Sequence, residues 1–410
     1  MRARMNPRLE ALNAYPFERL DAVKATVTVQ TNAAHIALSL GEPKHAAPEF
    51  VVAALADPAR IKRGLGTYPP TRGSEDLRQA CADWATRRFG LVAGSLQSTR
   101  HVLPVNGTRE ALFSFAQAAI GPTSAPGSDA VVVMPNPFYQ IYEGAAVLCG
   151  ATPYYVPCPH SNGFTPEFDD VPADVWQRTR VLYLCSPGNP TGAVLSMAQL
   201  HALIAKADEF DFVIAADECY SEIYRDEANP PLGLLQACAA LGRDDYRRCL
   251  VFHSLSKRSN LPGLRSGFVA GDADIVQKFL LYRTYHGSAM PVHVGEVSAA
   301  AWRDEEHVIA NRSVYREKFI GVLAALGGTL DVTTPEASFY LWPRTPIDEV
   351  QFAARLFAEE HVTVLPGSFL SRPAGGVDPG KNRVRMALVA PLAECIEGAH
   401  RIRRFVERLG

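Results

Sequence analysis

The chain has 410 residues, 47% of them hydrophobic and 20% charged, with 41 basic against 43 acidic side chains and a formal net charge of −2. That length accommodates about two or three domains with an ample core. The near-neutral balance, with no block of like charge, excludes the footprint of a nucleic-acid binder, and the apolar content excludes disorder. The longest uncharged stretch, 111–128, is interrupted by Gly121, Pro122, Pro126 and Gly127, so it supplies no apolar span of ~20 residues and no membrane helix. The opening MRARMNPRLEALNAYPFERL lacks an apolar h-region, so secretion is not expected, whether translation starts at Met1 or Met5. Eight cysteines at spacings that match no zinc or redox motif, several within apolar runs, read as buried thiols in a reducing cytoplasm.

Short β-branched runs predict strands over 101–105, 130–134, 152–156, 181–185, 212–216, 249–253 and 266–270, with helical stretches such as 110–119, 138–148 and 197–210 between them. That alternation predicts a mainly parallel, doubly wound sheet with helices on both faces. From about Asp272 the pattern becomes α+β. Helices are expected over 275–285, 294–325, 347–360 and 392–409, and strands over 329–332, 338–342, 363–365 and 383–388. The expected division is an N-terminal arm over 1–45, a large domain over 46–295 and a small domain over 296–410, to which the arm adds.

Several loops that follow predicted strands carry chemistry. Ser254, Ser256 and Lys257 come directly after the strand 249–253, where doubly wound sheets place their ligands. A lysine there can form a Schiff base with an aldehyde cofactor, and the two hydroxyls with Arg265 can ligate a phosphate. Taken alone, a solvated loop lysine is the plainer reading. Asp217 follows the strand 212–216, and a carboxylate there can hold a pyridine nitrogen protonated; taken alone, it is equally an N-cap aspartate. Asn189, within the turn-dense SPGNPTG, and Tyr220 can donate to a phenolate oxygen. Gly107, Thr108 and Arg109 open a helix whose N–H groups suit an anion, or form an ordinary cap. Tyr139 can stack on a planar ring or simply pack. Together these residues match one ligand, a phosphorylated pyridine aldehyde.

With those residues assembled, the sequence resembles the aspartate aminotransferase family, the fold type I enzymes dependent on pyridoxal 5′-phosphate (PLP). The similarity runs from about Leu38 to the C-terminus through SLGEP (39–43), GTYPPTRGSEDLR (66–78), NGTREAL, NPFYQIY, SPGNPTG, AADECY, SLSKRSNLPGLRSG and RVRMALV (383–389). The resemblance implies an α/β fold: a mainly parallel seven-stranded doubly wound sheet in a large domain, plus a smaller α+β domain. It implies Lys257 as the Schiff-base lysine, Asp217 as the pyridinium partner, Asn189 and Tyr220 on the cofactor's O3′ and Tyr139 on its ring. Gly107, Thr108, Arg109, Ser254, Ser256 and Arg265 then hold the phosphate. Tyr68 resembles the tyrosine that reaches the phosphate of a neighbouring subunit, which implies a homodimer with shared active sites. Arg385 resembles the arginine that grips the substrate α-carboxylate, with Gly41 in the segment that closes over it. Thr108-Arg109 departs from the Ser-Lys of many relatives, which touches only the side-chain contact.

A bidentate arginine–carboxylate pair retains the carboxylate and orients the Cα–H bond, favouring proton transfer over decarboxylation. Transamination by Lys257 acting as base follows, with amino-acid and 2-oxo-acid substrates and no nucleic acid or membrane partner. GLGTYPPTRG, HSLSKRSNLPGLRSGFVAGD and the C-terminal tail are most similar to proteobacterial succinyldiaminopimelate aminotransferases of lysine biosynthesis, with glutamate and 2-oxoglutarate as the partner pair. The alternatives are another class I aminotransferase (direct diaminopimelate, aromatic or alanine), a PLP lyase, or a PLP-binding regulator. Lys44 and Arg72, close in sequence to Gly41 and Tyr68, are the expected cations for a distal carboxylate.

Overall fold

The computed structural model describes residues 5–121 and 129–409; Met1 and the part of the uncharged stretch over 122–128 lie outside the described residues. Seven strands form the central sheet: β1 (Val102–Val105), β2 (Val131–Asn136), β3 (Thr152–Pro157), β4 (Thr179–Cys185), β5 (Val213–Asp217), β6 (Cys249–Ser254) and β7 (Gly267–Gly271). Their spatial order is β1-β7-β6-β5-β4-β2-β3. Every neighbour pairs in parallel except β7, which runs antiparallel between β1 and β6. The fold is the mostly parallel seven-stranded α/β architecture expected from the alternation of strand and helix.

The strands lack polar alternation because both faces are covered. Val131 and Val133 join a core with Trp84 and Trp302, while Val132 and Met134 join another with Phe115 and Tyr142. Helix Met197–Phe210 starts on a capping box, in which the Ser196 hydroxyl accepts the Gln199 N–H and the Gln199 side chain accepts the Ser196 N–H. Helices Glu49–Leu55, Pro58–Leu65 and Glu75–Phe89 precede the sheet, in a region the strand–helix alternation does not reach. Their local signals are clear: Asp57 caps with Pro58 behind it, and Ser74 opens a helix that the left-handed Gly90 closes.

The single helix predicted over 294–325 is in fact two, Val292–Arg303 and Glu306–Leu326. Asp304 turns extended (φ −90°, ψ 129°), and its carboxylate accepts the His307 N–H at 3.1 Å. Buried Arg258 then takes the freed carbonyls of Ala301 (2.8 Å) and Asp304 (3.1 Å). The local bond from Asp304 and the distant ones from Arg258 together replace helix continuation. Residues 329–332 form one bridge, Asp331 to Arg344, rather than a strand. The predicted strand 363–365 divides between two sheets. Val362–Thr363 pairs with Ile36–Ala37, while Leu365–Pro366 joins Val384–Ala387 and Tyr340–Leu341.

Ile36 and Leu38 of the arm enter a third core with Phe319, Leu356, Val384 and Phe405. This C-terminal body is tied to the sheet beside the end of β2, where Arg372 forks onto Glu143 (2.8 and 2.6 Å) and its backbone exchanges hydrogen bonds with Asn136. All eight cysteines are free, six of them buried, as the thiol reading expects. No helix among the described residues is long and apolar enough to cross a membrane.

Candidate active site

Six strands share a direction and end at one edge of the sheet, and antiparallel β7 begins there. The loops after β1, β2, β4, β5 and β6, and the one before β7, therefore converge. They line a cavity of about 420 Å³, closed by the arm and the C-terminal body. Thr108, Arg109, Tyr139, Asn189, Asp217, Tyr220, Ser254, Ser256, Lys257 and Arg265 are all in its wall, with Gly41 and Arg385 opposite.

Gly107 is the N-cap of helix Thr108–Ala119 at φ 83°, and a Cβ there would collide with the Arg265 guanidinium. Only glycine permits both the backbone conformation and that approach. Arg265 donates to the Pro262 carbonyl (3.0 Å) and reaches Ser256 Oγ (3.5 Å), with no carboxylate partner among the described residues. Ser254 Oγ accepts the Ser256 N–H (3.0 Å) and donates to Ser256 Oγ (2.9 Å). A guanidinium facing a helix N-terminus places two positive features together, and an anion between them satisfies both.

Asp217, the last residue of β5, is 4% exposed. Its carboxylate accepts from Tyr142 Oη (2.8 Å) and the Cys219 N–H (3.3 Å), and no cation pairs with it among the described residues. Burial pushes its carboxyl above the ordinary range, against the hydrogen bonds from Cys219 and Tyr142. Lys257 lies half-buried across the cavity, its Nζ donating to the Gly41 carbonyl at 2.5 Å. Burial lowers its pKa to about 8.

Arg385, on the strand Val384–Ala387, is 5% exposed. It donates to Asn189 Oδ1 (3.1 Å) and to the Ser39 carbonyl (2.8 Å), and lies over the Tyr340 ring at 4.5 Å. Its buried Nε–H has no partner among the described residues. With Asn189 Oδ1 occupied, the amide NH₂ remains as that residue's donor. Tyr220 and Tyr340 share a hydroxyl contact at 3.0 Å, and burial raises the Tyr220 pKa well above its usual value, which keeps it a neutral donor.

Three expected residues lie elsewhere on the chain. Tyr68 is 99% exposed, outside the cavity. Lys44 is exposed and not in the cavity wall, and Arg72 is committed to the Thr99 carbonyl (3.0 Å) and Gln277 Oε1 (2.9 Å). Closeness in sequence to Gly41 does not carry Lys44 into the cavity wall, and Arg72, like Tyr68, lies outside this chain's own cavity. The free cation at the mouth is Arg109, whose guanidinium lies 5.4 Å from the Tyr15 ring centroid without a carboxylate partner among the described residues. Tyr142, Cys219 and Tyr340 are site residues that sequence reasoning did not single out. Tyr142 had a signal, one helical turn past Tyr139 in NPFYQIY. Tyr340, supplied by the C-terminal body, had none.

Aminotransferase class I and II is the family model that matches, over residues 34–402. The chain belongs to the class I and II aminotransferases. The cofactor of this aminotransferase is pyridoxal 5′-phosphate. Its site residues fit that group: an anion cradle, a buried carboxylate with no cation partner among the described residues, and a lysine of lowered pKa all face one space. An LL-diaminopimelate aminotransferase of Nitratidesulfovibrio vulgaris is 32% identical over 399 residues, covering 96% of this chain and 97% of that protein. A crystal structure of an aminotransferase from Neisseria meningitidis is 45% identical, with a TM-score of 0.92 and coverage of 98% of this chain and 100% of the other. A probable N-succinyldiaminopimelate aminotransferase from Thermus thermophilus is 27% identical at a TM-score of 0.80, covering 95% and 99%.

Proposed function

We propose that this aminotransferase transfers the amino group of N-succinyl-LL-2,6-diaminopimelate to 2-oxoglutarate in lysine biosynthesis, by a ping-pong reaction. When bound, PLP supplies an aldehyde that captures amines and a protonated ring that withdraws electrons. Everything else belongs to the chain. Arg265, the hydroxyls of Thr108, Ser254 and Ser256, and the N-terminus at Gly107 to Arg109 hold the phosphate. Asp217, fixed by Tyr142, keeps the ring nitrogen protonated. Asn189 and Tyr220 donate to the ring oxygen, and Tyr139 covers the ring. Arg385, steadied by Asn189, Ser39 and Tyr340, takes the α-carboxylate and orients Cα–H. Lys257 Nζ takes that proton, its lowered pKa matching the task.

The observation that carries the substrate reading is charge. Among the described residues, Arg109, Lys257, Arg265 and Arg385 line the cavity against only Glu42 and Asp217. The phosphate and the α-carboxylate account for Arg265 and Arg385. Free diaminopimelate ends in a carboxylate beside an ammonium, a distal group of no net charge; succinylation replaces that ammonium by an amide and adds a second carboxylate, so the distal end becomes a dianion suited to Arg109. Free LL-diaminopimelate, the substrate named for the Nitratidesulfovibrio relative, is the second reading.

One charge-assisted contact discriminates by roughly 10–100-fold. A coupled assay of glutamate formation should therefore show kcat/KM higher by about that factor for the succinylated donor. Arg109→Gln should remove most of the difference through KM, and Lys44→Ala and Arg72→Ala should not. Equal or reversed rates for the two donors would transfer the assignment to direct diaminopimelate transamination.

The same proposal includes a homodimer, supported by the exposure of Leu65 (77%), Tyr68 (99%) and Tyr285 (88%), unusually large for such side chains. Sedimentation should give a dimer, and Tyr68→Phe should weaken cofactor binding about tenfold by removing one bond to a charged group. A monomer with full cofactor affinity would refute it. The division at 1–45, 46–295 and 296–410 also belongs here. Helix Val292–Arg303 packs on Glu75–Phe89, which favours a hand-over after Arg303.

A further inference from the structure

The segment from Leu38 to Ala46 lies across the cavity, held at both ends by groups of the site. At one end the Ala387 N–H donates to the Leu38 carbonyl at 2.6 Å, and Arg385 donates to the Ser39 carbonyl at 2.8 Å. In the middle, Lys257 Nζ donates to the Gly41 carbonyl, and the Tyr340 hydroxyl fills the space where a Gly41 Cβ would sit. At the other end, the Asn260 amide donates to the carbonyls of His45 and Ala46.

His45 adds a contact of another kind. Asn311, Tyr315 and Lys318 are spaced by four and three residues, so they share one face of helix Glu306–Leu326. The His45 ring packs against Tyr315, with centroids 4.6 Å apart. The Asn311 NH₂ donates to the carbonyls of Lys257 and Arg258, at 3.3 Å each. Its oxygen is therefore the atom that faces His45 Nδ1 at 2.8 Å, so Nδ1 carries the proton. Nε2 keeps a lone pair and accepts from the Lys318 ammonium at 2.6 Å. Lys318 is 0% exposed, and its other bond goes to the Val389 carbonyl at 3.2 Å.

The Lys318 end of this relay needs a neutral imidazole. A protonated ring would turn a second N–H against a buried ammonium. Burial lowers both the His45 and Lys318 pKa values, the latter to about 8.

We propose that His45 is a positioning residue for transamination: through Asn311 and Lys318 it locks the segment over the cavity to the main chain of Lys257. The proposal rests on the roles given above to Lys257 and Arg385. The lock fixes the Ser39 carbonyl that orients Arg385, so loosening it weakens substrate binding more than proton transfer.

The test compares the wild-type holoenzyme with His45→Phe, which keeps the ring's bulk and stacking but neither nitrogen. Trypsin cleavage after exposed Lys44, followed by mass spectrometry, reads the seating of the segment without reference to activity. Cleavage there should accelerate about tenfold, and KM for the amino donor should rise about tenfold while kcat changes less than about threefold. His45→Phe leaves the Lys318 ammonium without its acceptor, so His45→Phe with Lys318→Met should recover most of the loss. Asn311→Asp, which turns a carboxylate oxygen toward the Lys257 and Arg258 carbonyls, should reproduce the single variant and replaces it should His45→Phe not fold.

Cleavage and KM within about twofold of wild type in either single variant, or additive losses in the double variant, would overturn the proposal. If the wild-type chain converts no amino donor, the reading of the whole site falls and this one with it. A reactive wild type with an unchanged variant removes this one alone.

Discussion

Replacing Lys257 by alanine is expected to lower transamination by on the order of 10⁴-fold or more, because one change removes both the covalent anchor and the general base. The side chain projects into the cavity rather than a core, so the apo fold should melt within a few degrees of wild type. Burial sets the pKa of this amine at about 8. At pH 7 roughly a tenth of the chains then carry a neutral amine, against about three in ten thousand for an ordinary lysine. Since only the neutral amine attacks an aldehyde, capture of pyridoxal phosphate by the apoenzyme should speed up as pH rises, with a midpoint near 8 and a plateau above it. Stopped-flow absorbance checks this. A midpoint near 10, or a Lys257→Ala protein within tenfold of wild-type activity, would contradict the assignment.

Asp217→Asn should be the next most damaging change. The amide oxygen of the variant would still accept from Tyr142, and only the longer bond from the Cys219 N–H (3.3 Å) loses its acceptor, so the burial and the shape are kept while the charge is lost. Removing one partner of a buried ion pair costs about 3–5 kcal/mol, which corresponds to about 10²–10⁴ in rate where that pair sustains the electron-withdrawing state. The expected outcome is a loss of kcat in that range, with KM for the donor changed little, because Arg385 holds the carboxylate independently. Steady-state kinetics together with a thermal melt decide it. A kcat within about fivefold of wild type would mean that Asp217 is a structural cap.

Much of this was legible locally. The β-branched runs located all seven sheet strands because a strand covered on both faces needs an uninterrupted apolar run. Chemistry-bearing residues directly after those runs fell into one cavity because strands of common direction end at one edge. Arg265 is instructive: it precedes its strand rather than following one, and reaches the same edge only because β7 is antiparallel. The break at Asp304 was not legible, since the periodicity of 294–325 continues through it and the bonds that end the first helix come from Arg258, forty-six residues away in the chain.

By itself, then, the sequence determined the sheet and the family, and it located Lys257, Asp217 and the residues at Gly107, Ser254 and Arg265 beside their strands, because each of those placements rests on a strand and the loop next to it. Tertiary structure alone decided that Tyr340 braces Arg385, that Arg109 rather than Lys44 or Arg72 stands free at the mouth, and that His45 meets Asn311 and Lys318. Those pairings join segments tens to hundreds of residues apart. Side-chain direction and burial, which settle whether a cation is free or already committed, exist only once the two bodies have packed together.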